Sequence, residues 1–176
     1  MEIRTASHND KEEVHKVYLE AFDDKEGEIV SNLAIGLLSE LSTPQIISLV
    51  AVIDGVVIGH VAFSPVWLKN GEPFSGYILA PLAVKPDHQK SRIGSNLVNN
   101  CMQQLIIKEV DVVFVYGDPK YYSRFGFRVD TAERYTPPYS LQFPFGWQAI
   151  ILTNKGEAPL TGAIECVNSL CDPNLW

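Results

Sequence analysis

The sequence predicts a mixed α/β domain of the α+β kind, on three observations. Asp54-Gly55 splits the apolar stretch 46–63 into two extended halves, and Asp-Gly between apolar runs is a strong short-range hairpin signal. After Pro86 an extended run gives way to a helical one with Ile93, Leu97, Cys101 and Leu105 on one face, followed by the continuously apolar "VDVVFVYG", which reads as a buried strand. Two further helical patterns precede the hairpin. Helices alternating with an antiparallel run and one strand–helix–strand crossover define a layered α/β architecture.

Element by element, "EIRTA" reads as an edge strand. Ser7, Asn9 or Asp10 caps a first helix carrying Val14, Val17, Tyr18, Ala21 and Phe22 at helical spacing. A second helix has Ile29, Leu33, Leu37 and Leu41 at steps of four and ends before Pro44. The hairpin Ile46–Ile53 and Val56–Phe63 follows, and Asn70-Gly71 marks another turn. "FSGYILAPLAV" is a long strand interrupted at Pro81; a proline cannot donate to a ladder, so it predicts a bulge or a parting of strands. Asp118-Pro119 is a cap with proline in the first helical turn, and the short helix "KYYSRF" ends at Gly126. "GFRV" and "WQAIIL" read as strands separated by the loop "TPPYSLQFPF", and nothing assigns the stretch from Asn154 onward.

Bulk properties bound the function. With 176 residues, 46% hydrophobic and 20% charged, the chain fits one soluble globular domain. Its net charge of −7 argues against a nucleic-acid partner. The run 46–63 is about long enough to span a bilayer, but Asp54-Gly55 makes it two strands, so no membrane partner is expected. The first residues carry acid and no apolar run, so no secretory signal is expected. Cys101, Cys166 and Cys171 lack metal-type spacing, which predicts free thiols, no metal, and a cytoplasmic location. Acid is concentrated between Asp10 and Glu28, whereas Lys85, Lys90 and Arg92 put base around 88–98, "HQKSRIGSNLV".

That stretch lies at a strand-to-helix junction. The first amides of a helix have no internal partners, and the helix dipole adds partial positive charge, so the junction suits a phosphate. A solvated, well-capped helix start accounts for the same residues without a ligand.

Two motifs decide between these readings. "LAVKPDHQKSRIGSNLV" resembles motif A of the GNAT superfamily, the acetyl-CoA-dependent N-acetyltransferases: a Leu-Ala-Val-like strand end, a proline, then Gln/Arg-x-x-Gly-x-Gly/Ala opening a long helix. Gln89, Ile93 and Gly94 match, while Arg92 occupies the first signature glycine. "GDPKYYSRFGF", at 117–127, resembles the GNAT segment in which a tyrosine precedes Gly-Phe, and more narrowly a bacterial subgroup of predicted N-acetyltransferases. The resemblance spans about residues 2–152. It implies one N-acetyltransferase domain over 1–176, with a C-terminal extension beyond that core, and a mostly antiparallel, splayed sheet flanked by helices.

It further implies acetyl transfer from acetyl-CoA, as co-substrate, to a primary amine of a small molecule or protein by direct attack on the thioester. Tyr122 aligns with the general acid; a phenol titrates at about 10 and can donate a proton at neutral pH. The edge of Leu82, Ala83 and Val84 would pair with the pantetheine. Amides of Gln89, Lys90, Ser91, Arg92, Ile93, Gly94 and Ser95 would take the pyrophosphate, and Lys85, Lys90 or Arg92 the 3′-phosphate. Arg92 either binds phosphate directly or narrows the cradle. His60 and His88 are candidate bases, each with a packing or surface reading beside it. Tyr121 fits a packing role. Some carboxylates among Asp23, Asp24, Glu26 and Glu28 would attract a cationic acceptor, or they form a solvated helix face. A non-catalytic acyl-CoA-binding module and transfer of another acyl group are the competing functions. Edge strands and aromatics permit a homodimer.

Overall fold

The structure, a computed structural model, describes residues 1–153 and 160–176; that part of the unassigned C-terminal stretch which falls at 154–159 lies outside the described residues. The chain opens with β1 (Glu2–Thr5), α1 (Lys11–Ala21) and α2 (Asp24–Ser39), then runs through β2 (Ile47–Ile53), β3 (Val56–Leu68) and β4 (Gly76–Val84). There follow α3 (Ile93–Ile107), β5 (Val112–Tyr116), α4 (Pro119–Tyr122), α5 (Val129–Ala132), β6 (Tyr135–Thr136), β7 (Trp147–Ile151) and β8 (Gly162–Cys166). The sheet order is β1-β2-β3-β4-β5-β7, with β8 beside the far half of β3 and β6 beside β8. Along the main path every neighbouring pair is antiparallel except β4 and β5.

The hairpin forms where the sequence places it: Ile53 pairs with Val56, and Asp54 and Gly55 take φ of 50° and 81°, the positive values a tight primed turn demands. Strand β3 runs five residues beyond the expected Phe63, because its far half finds β8 (Val66↔Cys166, Leu68↔Ile164). Pro65 stands in the gap between the end of pairing with β2 and the start of pairing with β8, where a missing donor is tolerated.

Helix α3 covers one face of the sheet. Ile93, Leu97, Cys101 and Leu105 are buried against Leu49, Val61, Phe63 and Leu79, and each such aliphatic side chain contributes about 1.5–3 kcal/mol. Helices α1 and α2 cover the opposite face, through Val14, Val17 and Tyr18 and through Leu33, Ala34 and Leu37.

Several expectations need correction. Helix α2 ends at Ser39, and Leu41 is 97% exposed. A step of four residues overshoots one turn by about 40°, so the expected stripe drifts off the buried face after three steps. "GFRV" is not a strand: Arg128 alone bridges Ala149, with N–H···O distances of 2.9 and 3.0 Å, and Val129 then begins α5. Its apolar–polar alternation comes from Phe127 dropping into the core beneath Tyr122. A single 3-10 turn, His8–Asp10, precedes α1; Asp10 accepts from the Ser7 N–H at 2.7 Å and pairs with Arg4, so it ties β1 to α1 rather than simply capping a helix.

The stretch after 160 is built into the fold. Besides β8, its short turns pack on α2, where the Glu40 carboxylate accepts from the N–H groups of Asn168 (2.7 Å) and Ser169 (2.9 Å).

Candidate active site

A mismatch of one residue opens the sheet. Leu79 pairs with Phe63 and Leu82 with Val61, so Ala80 and Pro81 together stand opposite Ala62. This is a bulge, and Pro81 fits it because no ladder N–H is needed there. The parallel pairing of β4 with β5 runs from Gly76↔Val112 to Leu79↔Val115 and stops at the bulge. Beyond it the β5-facing edge of β4, through Leu82, Ala83 and Val84, has no strand beside it among the described residues. Leu82 and Val84 are half-buried and Ala83 is buried.

At the far end of that edge lies the junction loop. Gln89 fastens it: its side-chain amide donates to Val84 O at 3.0 Å and its N–H to Pro86 O at 3.2 Å. These two bonds hold the loop to the end of the strand. The Ser91 hydroxyl donates to His88 O. Lys90 and Arg92 both take the left-handed conformation, with φ of 59° and 66°. This costs about 1–2 kcal/mol for a residue with a Cβ. Arg92 therefore follows the backbone path a glycine would take more easily. The first internal bond of α3 runs from Asn96 N–H to Arg92 O (2.9 Å), leaving the amides of Ile93, Gly94 and Ser95 ahead of it without intrahelical partners. The side chains of Lys90, Ser91 and Arg92 are exposed, and among the described residues neither cation forms an ion pair. Lys85 does: its ammonium lies 3.1 Å from the Glu20 carboxylate on α1.

At the near end lies Tyr122. The Asp118 carboxylate accepts from Lys120 N–H at 2.9 Å and starts α4 with Pro119 behind it. The Tyr122 ring then folds back over Gly117; a Cβ there would stand 2.5 Å from its Cε2, so only glycine permits this pose. Phe127 and Tyr121 meet the ring edge-on at 6.1 and 5.0 Å. Burial, then the neighbouring Tyr121 and Asp118, push the Tyr122 phenol well above its ordinary pKa, so it carries its proton throughout the physiological range. Tyr121 reaches the start of α3: its hydroxyl lies 2.7 Å from where a Gly94 Cβ would sit. Arg124 stacks 4.4 Å above the Tyr121 ring.

Beside the bulge and Tyr122 the parted strands open into a cleft of about 740 Å³, which reaches along β4 as far as Leu82. Its walls are β4 from Ile78 to Leu82, the segment Tyr116–Asp118 with Tyr122, residues Phe22 to Leu33 at the α1–α2 side, and the loop Gln142–Gly146. Leu170, Asn174, Leu175 and Trp176 complete it. Sequence reasoning did not find this last wall. Asp172-Pro173, a cap preceding a short turn, was the available signal.

The candidate bases are not in the cleft. His60 is fully buried, its Nδ1 bonded to Tyr18 OH and its Nε2 to Ser48 Oγ, both at 2.8 Å. Burial pushes it down to about 3, so it is a neutral packing residue. His88 stands in the loop, with its carbonyl bonded to Ser91. Of the acidic cluster, Glu20 pairs with Lys85 and Asp23 caps α2 by accepting from Glu26 N–H at 3.0 Å. Only Glu26 lines the cleft. Among the described residues no group of three or more His, Cys, Asp or Glu is placed to hold a metal ion, and no helix is long and apolar enough to cross a membrane.

Known proteins share this architecture. Residues 44–129 match the acetyltransferase (GNAT) domain family. The uncharacterized N-acetyltransferase YjhQ of Escherichia coli is 32% identical over 166 residues, covering 91% of this chain and 88% of YjhQ. The uncharacterized N-acetyltransferase YhbS of Escherichia coli is 40% identical over 76 residues, 43% of this chain and 45% of YhbS. The crystal structure of YhbS in complex with CoA superposes with a TM-score of 0.78 at 29% identity, covering 96% of this chain and 90% of that one. A GNAT family acetyltransferase from Brucella melitensis in complex with acetyl-CoA gives 0.68 at 30% identity, covering 96% of each.

Proposed function

Because the chain belongs to the GNAT family of N-acetyltransferases, we propose that it moves an acetyl group from acetyl-CoA to a primary amine by direct attack. The whole of 1–176 serves as one catalytic domain in this reading. The observation that carries it is the parting of β4 from β5 at Ala80–Pro81, with an amide-rich helix start beyond one end and a half-buried phenol at the other.

The roles follow from what each group offers. The amides of Lys90, Ser91, Arg92, Ile93, Gly94 and Ser95 cradle the pyrophosphate, and Gln89 braces that loop. The exposed Lys90 and Arg92 side chains meet the 3′-phosphate. Leu82, Ala83 and Val84 present backbone groups to the pantetheine, as a neighbouring strand would. An N–H of Leu82 or Val84 supports the thioester oxygen as charge develops on it. The neutral amine attacks the thioester carbon, a C–N bond forms and the C–S bond breaks. The leaving thiolate takes the Tyr122 proton, and the proton shed by the nitrogen passes to water.

The test is direct. Acetyl-CoA should raise Tm, since a ligand that binds only the folded state stabilises it. Amines should then release free thiol. Tyr122→Phe should keep the Tm shift while kcat falls about 100-fold, the scale of a general acid. Unchanged turnover removes Tyr122 from the mechanism, and binding without thiol release from any amine leaves a module that holds the coenzyme without using it.

A further inference from the structure

We infer that the acceptor is a small primary amine carried on an apolar body of roughly aromatic size, free of anionic groups and drawn in as its cation by Glu26. This rests on the transferase reading and names the substrate class for the same cleft.

The geometry separates two sides. The junction loop and α3 lie on one face of the sheet; the cleft passes through the parted strands to the face covered by α1 and α2. There the walls are Phe22, Val30, Leu33, Phe143, Phe145 and Trp176. Among the described residues no Lys, Arg or His lines the cleft, and the charged side chains that do are Glu26 and Asp118. The Asp118 carboxylate is engaged in capping α4. Glu26 makes no ion pair among the described residues, so it is the free charge facing the ligand.

An acceptor bearing a carboxylate or phosphate would lose its water beside an uncompensated Glu26, with no cation to receive it. A polyamine would bring a second ammonium for which the cleft offers no second free carboxylate, since Asp118 is engaged in its cap. An arylalkyl amine matches both features. Two large aromatics at the rim, Phe143 and Phe145, are 51% and 61% exposed, an unusual position for phenyl rings without a partner to cover. Their loop is fixed: Phe143 N–H donates to Tyr116 OH at 2.9 Å, and Gly146 O accepts from Gly117 N–H at 3.0 Å.

The decisive comparison is between 2-phenylethylamine and phenylalanine, the same body with and without a carboxylate, assayed with acetyl-CoA by thiol release. Ethylamine, spermidine and a lysine-containing peptide complete the panel. We expect kcat/KM for 2-phenylethylamine to exceed that of each of the others at least about ten-fold. Glu26→Gln should raise its KM about five-fold with kcat retained, as loss of a partly exposed ion pair implies. Phe145→Ala should raise KM for 2-phenylethylamine and leave that for ethylamine unchanged. Phenylalanine, spermidine or the peptide equalling 2-phenylethylamine overturns the inference, as does a Glu26→Gln variant with wild-type KM. Acetyl-CoA titrated alone keeps the two levels apart. No Tm rise removes the transferase reading and this inference with it, whereas a rise without the expected amine preference removes the inference alone.

Discussion

The two ends of the exposed β4 edge are built on opposite principles. The junction at 89–95 is backbone: it offers amides from consecutive residues after Gln89, exposes the side chains of Gln89 to Arg92, and tolerates Lys90 and Arg92 where a smaller residue would sit more easily. The cleft is side chain: Phe22, Leu33, Tyr122, Phe145 and Trp176 come from five separate segments, and each shapes the volume directly. A site made of amides depends on the path of the chain. A site made of side chains depends on which residues the fold gathers. Substitution should therefore be felt strongly in the cleft and weakly at the junction.

The largest expected effect is at Gly117. An added methyl group would stand 2.5 Å from Tyr122 Cε2 and 3.1 Å from its Cδ2, so Gly117→Ala must drive the ring from its place. Overpacking of this kind costs about 1–3 kcal/mol. We expect thiol release to fall toward the level of Tyr122→Phe while acetyl-CoA still raises Tm. Wild-type turnover would show that the ring position does not matter, and the contrast between the ends would break.

The next effect sharpens the contrast through acid. The face that bears α1 and α2 holds His60 buried and neutral; the junction holds no buried titratable side chain. Because folding pushes His60 down to about 3, the unfolded chain binds the extra proton as pH falls below about 6.5. Stability is thus complete above that pH and is lost as pH falls toward 3, at up to about 1.4 kcal/mol per pH unit. Urea midpoints at pH 7, 6 and 5 measure the slope, and His60→Gln should flatten it. A slope unaltered by that substitution would assign acid sensitivity elsewhere.

The smallest effect is at the junction. Arg92→Gly relieves a left-handed residue worth about 1–2 kcal/mol but frees the unfolded chain by about 0.5–1 kcal/mol, so Tm should change little or rise slightly. Affinity for acetyl-CoA should fall only a few-fold, with a weaker dependence on salt, as one guanidinium–phosphate contact is lost. Tighter binding would mean that the arginine side chain obstructs the cradle.

What could be read from the sequence divides along the same line. Local signals carried the junction, the Asp54-Gly55 turn, the Asp118 cap and the interruption at Pro81, because each follows from a few adjacent residues and their backbone preferences. The α3 stripe was legible because its partners bury one continuous face. The far half of β3, the end of α2 before Leu41 and the failure of "GFRV" to form a strand were not, since each depends on a partner distant in sequence. The same holds for the wall from Leu170 to Trp176 and for Glu26 as the acid that faces the cleft. Nothing around Glu26 distinguishes it from Asp24 or Glu28 until α2 is set against the sheet. The pairing of Lys85 was hidden for the same reason: its partner, Glu20, lies on α1.

The bulge at Ala80–Pro81 has a wider meaning. The doorway to this cleft comes from an error in counting, one strand a residue too long for its neighbour, rather than from hollowing out the interior. The oily layers above and below the sheet are left in place. Removing one residue there would bring the strands back into step and shut it.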